Sequence, residues 1–230
     1  RRAREDKEAL IEDLHASLEP REEAALYYWR AEEWDILQVV ITGTDRLQHF
    51  LWDALEEVDH PLHQRVLDYY HAVDSMVGRL VARFRDAHGG GALFLLSDHG
   101  FTRCHREVRL NAWLREHGYL AFRDTQRASL ESLQDSTLAF ALDPGRIYVC
   151  GRERDALCVR IAAELGRLTF EGKPVLRAVH RREEIYEGPE AARGPDLVAQ
   201  AHDGFDLKGT LKGDEVFAAP SMSGMHNPEA

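Results

Sequence analysis

Two short stretches of the chain place a carboxylate and an imidazole where they can share a cation. The first is Asp45-Arg46-Leu47-Gln48-His49. If a helix begins at Arg46, Asp45 stands at its N-terminus and His49 one turn further on, so both side chains can face one point. The second is Ser97-Asp98-His99-Gly100. Adjacent Asp and His reach a common ion only from an irregular loop, for which Gly100 supplies the backbone freedom. The chemistry on offer is the binding of a divalent cation through oxygen and nitrogen. Each stretch also has a plainer reading as a cap or turn with a solvated histidine.

Both stretches follow β-rich apolar runs that read as buried strands, residues 35–42 (DILQVVIT) and residues 92–96 (ALFLL). In open parallel sheets, ligands bind outside the carboxyl ends of the strands. Helical periodicity surrounds these runs. It covers residues 4–18, residues 21–31 after Pro20, residues 46–57 and residues 63–85. The last of these has Val66, Tyr69, Tyr70, Val73, Val77, Leu80, Val81 and Phe84 as its apolar face and ends at Gly89, Gly90 and Gly91. Helix, strand, helix, helix, strand is the order of βαβ units, so an α/β fold with a largely parallel sheet is expected. Further on, residues 110–117 and 156–168 read as helices, and residues 146–149, 175–179 and 196–199 as strands. The expectation is one domain, residues 1–230, with residues 120–195 as an insertion beside the sheet.

Composition narrows the partners. With 230 residues, 44% hydrophobic and 30% charged, the chain can bury a sizeable core. Lys+Arg 29 against Asp+Glu 40 gives a net charge of −11, which disfavours a grip on nucleic acid and favours divalent cations. No apolar run approaches the ~18 residues that span a bilayer, so no membrane partner is expected. The opening RRAREDKEALIEDL is a charged helical pattern, not a signal peptide. Cys104, Cys150 and Cys158 are odd in number and form no CxxC pair, which fits a reducing, cytoplasmic setting.

A third segment, Gly224-Met225-His226, joins TDRLQH and SDHGF in a combination with a known counterpart. Together with WDILQVVITGTDRLQHFLW, NAWLREHGYL, GRE at residues 151–153 and EEIYEGPEAARGPDLV, it resembles the type I phosphodiesterase and nucleotide pyrophosphatase group of the alkaline phosphatase superfamily. The resemblance spans residues 34–230 and is nearest to the predicted phosphohydrolase or phosphomutase branch. It implies a three-layer α/β sandwich around a largely parallel central sheet. It also implies two divalent ions, zinc or, in mutase-like relatives, manganese. One ion would be held by Asp45, His49 and His226, the other by Asp98 and His99. Two cations about 4 Å apart can clamp a phosphoryl group during in-line displacement, and oxygen and nitrogen ligands suit either metal. The implied activity is metal-dependent hydrolysis of a small-molecule phosphate monoester or diester. The alternatives are a phosphomutase using the same metal box and a non-catalytic stand-alone binding or structural remnant.

The sequence also departs from the family pattern. Family members place a further metal-binding Asp, and then a Ser or Thr nucleophile at a helix start, upstream of the strand that opens here at Trp34. No strand precedes Trp34, and the first residue is Arg1. The chain is therefore expected to be the C-terminal part of a longer enzyme, inactive by itself, with the N-terminal part of the fold missing. Thr44, Ser97, Ser221 and Ser223 are read as neighbours that support ligands, not as replacement nucleophiles. Arg103, His105 and Arg152 are candidates to meet substrate phosphate, with Asn111 behind them. His60, His63 and His71 read as a chance grouping, the four tryptophans as packing, and Cys104 as a thiol without an activating partner.

Overall fold

The computed structural model describes residues 6–31, 33–88, 91–124, 128–142 and 144–227. Arg4 and Glu5 of the first expected helix lie outside the described residues, as do Gly89 and Gly90 at the end of the long one. In chain order the helices are α1 (Lys7–Ala16), α2 (Leu18–Ala31), α3 (Gly43–Glu56), α4 (His63–Ala87), α5 (Leu110–Glu116), α6 (Arg154–Leu165) and α7 (Arg182–Ile185). The strands are β1 (Gly100–Arg103), β2 (Arg106–Arg109), β3 (Ala139–Ala141), β4 (Arg146–Val149), β5 (Thr169–Phe170) and β6 (Lys173–Pro174). They continue with β7 (Leu176–Arg181), β8 (Leu197–Ala201), β9 (Phe205–Lys208), β10 (Phe217–Ala218) and β11 (Gly224–Asn227). The chain divides into two compact units, residues 1–103 with 222–230 and residues 104–221.

In the first unit, apolar residues at helical spacing converge chiefly from three helices, with Leu18 of α2 at the edge. Leu10, Ile11 and Leu14 of α1, Leu47 and Leu51 of α3, and Val66, Tyr69 and Met76 of α4 form its buried core. The Asp6 side chain accepts the Ala9 amide hydrogen at 2.9 Å and starts α1. Pro20 does not separate the two opening helices. It sits in the first turn of α2, where a missing amide hydrogen costs nothing, and the break falls at Ser17. At the start of α3 the chain passes over Tyr69 so closely that a Cβ on Gly43 would collide with the phenol oxygen. β1 and β11 form an antiparallel ribbon in which Gly100 faces Asn227 and Phe101 faces His226.

The two expected buried strands are not strands. Residues 36–41 and 92–97 carry no ladder, and apart from the half-buried Leu37 and Ile41 their side chains lie open, with Ile36 87% and Leu95 80% exposed. A buried strand needs a neighbour to take its amides and carbonyls and a cover for each face. Among the described residues neither run has such a neighbour. High β-propensity alone did not form a ladder.

The second unit does form sheets. One has the order β3-β4-β8-β7 with antiparallel neighbours throughout. Another has the order β10-β2-β9, in which β2 and β9 run parallel. Among the described residues this is the one parallel pair, so the largely parallel central sheet expected from the sequence is not what these elements build. β5 and β6 make a hairpin through Glu171 (φ 49) and Gly172 (φ 77), the two positive φ values that a tight hairpin turn demands. Ile147 of β4, Leu197 of β8, Ile161 and Leu165 of α6, and Leu110 and Leu114 of α5 centre its core. The protein is thus mixed α/β, with several small sheets.

Candidate metal centre

Asp45 occupies the first turn of α3, where a carboxylate also complements the helix dipole, and His49 follows one turn later. β11 brings in His226, and the irregular segment before β1 brings in His99. The result is a convergence on one oxygen. Asp45 Oδ1 lies 3.0 Å from His226 Nε2, 3.6 Å from His49 Nε2 and 3.8 Å from His99 Nε2. Asp45, His49 and His226 each offer a ligand atom, and these atoms all lie within 4.8 Å of one another. Ligands sharing a tetrahedral zinc at ordinary bond lengths are roughly 3.3 Å apart, so small side-chain adjustments suffice to close the group on one ion.

Ring orientation supports the same use. A carbonyl can only accept, so the His49 Nδ1 that lies 3.1 Å from Gly224 O carries the hydrogen. His99 Nδ1 stands in the same relation to Gly100 O at 3.2 Å. In the neutral rings this leaves each Nε2 as the lone-pair nitrogen, aimed at Asp45. Fixing the outer nitrogen by a backbone carbonyl is how metal-binding histidines are oriented. His99 stacks on His226 with ring centroids 3.7 Å apart.

Phe101 is the residue that sequence reasoning passed over. It faces His226 across the ribbon and touches all three rings, with centroids at 5.0 Å from His226, 4.9 Å from His49 and 5.6 Å from His99. Trp52 stacks behind it at 5.9 Å. The Phe in SDHGF was the available signal, because a residue two after His99 is well placed to form an apolar floor once Gly100 starts a strand.

Other expected site residues are placed differently. Asp98 Oδ1 is 3.6 Å from His99 Nε2, but its side chain is 86% exposed and stands at the edge of the cluster. The Arg103 guanidinium, expected to meet phosphate, is instead held by Glu57 and by Glu56 at 3.2 Å. The Glu57 hydrogen bond raises its pKa further. Two carboxylates at the C-terminal end of α3 thus pair with Arg103. His105 and Arg152 belong to the second unit. His105 packs its ring against Gly204, and Arg152 lines a cleft with Leu138, Glu153, Leu157 and Arg160. Asn111 is buried and fully used, donating to Ala141 O at 2.6 Å and Gly209 O at 2.9 Å and accepting the Ala141 amide at 2.8 Å. Burial pushes the Cys104 thiol up to about 11, which keeps it protonated and unreactive near neutral pH.

The hydroxyls near the cluster are likewise committed. Thr44 Oγ1 donates to Ile41 O at 3.3 Å, and Ser97 Oγ to His99 O at 2.7 Å. Ser221 belongs instead to the second unit, where its backbone amide donates to Glu107 Oε1 at 2.9 Å.

These observations define a class: a mixed α/β protein whose first unit gathers one carboxylate and three imidazoles from three separate segments, a donor set of the kind that holds zinc or manganese. Over residues 3–229 the chain matches the family Type I phosphodiesterase / nucleotide pyrophosphatase, and it belongs to that family. No curated protein and no solved structure matches it. The family acts on phosphate esters as hydrolases and is typically metal-dependent. Among the described residues no helix is long and apolar enough to cross a membrane.

Proposed function

We propose that Asp45, His49 and His226 bind one divalent cation and that the chain serves metal-dependent hydrolysis of a small-molecule phosphate ester. The observation that carries this reading is the approach of all three histidine Nε2 atoms to Asp45 Oδ1. Asp45 supplies the charge, His49 is pre-oriented by Gly224, and Phe101 packs an apolar ring against the imidazoles. A second cation would take Asp98 and His99, two ligands only, and is the weaker of the pair. Bound cations polarise phosphoryl oxygens and offset the charge that develops in displacement. The chain's own part is to hold and orient; Thr44 and Ser97, tied to carbonyls, are not assigned the attack.

Elemental analysis for zinc and manganese, on the purified chain after metal loading and desalting, tests the assignment beside the His226→Ala variant. About one tightly held ion per chain, lost in the variant, is the expected result. A folded variant that retains the full content would overturn it, as would a wild-type chain that takes up neither metal. Protons compete with the metal for imidazole nitrogen, so occupancy should also fall on acidification.

A further inference from the structure

Helix α3 is not continuous. At Leu51 the backbone leaves the helical region, with φ −136 and ψ 24. A break of this kind releases an amide hydrogen and a carbonyl from the helical ladder, and both need partners. Here one residue takes both. The Trp52 amide donates to Ser223 Oγ at 2.9 Å, and the Ser223 amide donates to His49 O at 2.9 Å. The next residue, Gly224, lies so near the helix that an added Cβ would collide with the Gln48 carbonyl oxygen and stand 2.9 Å from Trp52 Cβ. Its own carbonyl accepts from His49 Nδ1 at 3.1 Å. Residues 223 and 224 are therefore fastened to the turn of α3 that bears His49. Two residues later the chain presents His226 to Asp45.

We propose that Ser223 and Gly224 are positioning residues for this centre: Ser223 closes the break in α3 and thereby sets His226 against Asp45 and His49. The inference rests on the metal-binding reading above and goes beyond it. An unbroken helix would satisfy the His49 carbonyl and the Trp52 amide internally and offer nothing for Ser223 to grip. The irregular turn and the serine are complementary, and their joint product is the register of His226. A larger residue at position 224 would hold β11 off the helix. The serine in SMSGMH, weighed from sequence only as a neighbour of a ligand, thus acquires a defined task.

Nuclear Overhauser contacts between the ring protons of His49 and His226, whose centroids are 4.8 Å apart, report the register directly in metal-free protein. They would be recorded for the wild type, Ser223→Ala and Gly224→Ala, with far-UV circular dichroism to confirm retained helix. Ser223→Ala is the mild variant, since it removes one atom, and it remains informative if Gly224→Ala fails to fold. Loss or marked weakening of the ring contact in folded Ser223→Ala is expected. Its persistence at wild-type strength would overturn the proposal. A zinc titration is run in parallel, where Ser223→Ala should weaken binding by about tenfold or more, the scale of losing a group that orients a metal ligand. The two readings fail separately. A wild type that binds no zinc removes the metal assignment, while the ring contact still decides the positioning role.

Discussion

Residues 146–149 and residues 92–96 are both short apolar-rich runs, RIYV and ALFLL, yet they end in opposite circumstances. The first is β4, inside a four-stranded sheet between β3 and β8, with Ile147 fully buried. The second lies open in the first unit with Phe94, Leu95 and Leu96 all about 80% exposed. Side-chain preference is comparable in the two; the presence of a partner is not. β4 finds its neighbours within its own unit, whereas residues 92–96 have none among the described residues. A β-prone run becomes a strand only where another backbone completes its ladder.

The largest expected contrast is in amide hydrogen exchange. Ala199 donates its amide to Gly145 O at 2.6 Å, and Val149 donates to the buried Asp196 carboxylate at 2.7 Å. Such amides open only with substantial unfolding, so their protection should approach the global stability, whereas unbonded amides are protected by about nothing. Residues 93–96 should therefore exchange at least about a thousandfold faster than Val149 and Ala199 after correction for intrinsic rates. Equal protection would show that the open run is paired in solution, and the comparison would break.

Truncation sharpens the same point at the level of packing. Ile147→Ala removes a fully buried side chain from the centre of the second unit and should cost about 2–5 kcal/mol. Leu95→Ala, four-fifths exposed, should change stability by less than about 0.5 kcal/mol. Urea unfolding of both variants checks this. A cost for Leu95→Ala near that of Ile147→Ala would mean that the side chain is covered in the folded protein.

How far the sequence could be read follows from the same distinction between local and distant requirements. Helices satisfy their own backbone, and periodicity placed them well. Residues 63–85 were expected and α4 is His63–Ala87; residues 46–57 were expected and α3 is Gly43–Glu56. The β4 and β8 segments were legible because their apolar residues fill a core close at hand. The open runs were misread because propensity says nothing about whether a partner exists. In the centre, one-turn spacing made it legible that Asp45 and His49 can face one point but left a cap and a solvated histidine equally open, whereas the approach of His226 was implied by a family resemblance. Phe101 was not visible as a site residue and Ser223 only as a neighbour of a ligand, since their roles depend on a strand register and a helix break that no local pattern announces. Asp196, with Arg154 and Arg182 around its buried carboxylate, was missed for the same reason.

The smallest effect tests whether the first unit, despite its open runs, is tied together around the broken helix. Lys7 of α1 reaches Asp53 of α3 at 3.1 Å, two residues beyond the break. Burial pushes the Asp53 carboxyl up, but hydrogen bonds from Lys7, the Ala54 amide and the Ser223 hydroxyl, with the Lys7 charge, outweigh it and leave the pKa below its ordinary value. A carboxyl depressed in the folded state binds protons more readily when unfolded. Its stabilisation is therefore fully present above the unfolded value near ~3.9 and is lost as pH falls through the folded value. Lys7 is partly open to water, which screens the pair, so Lys7→Met should cost only about 0.2–1 kcal/mol at pH 7. Thermal unfolding of both proteins from pH 7 to pH 2 should show the gap closing below roughly pH 4 as Asp53 becomes protonated. A gap that stays constant down to pH 2 would assign the effect to the packing of the Lys7 stem, leaving α1 joined to α3 by apolar contact and not by charge.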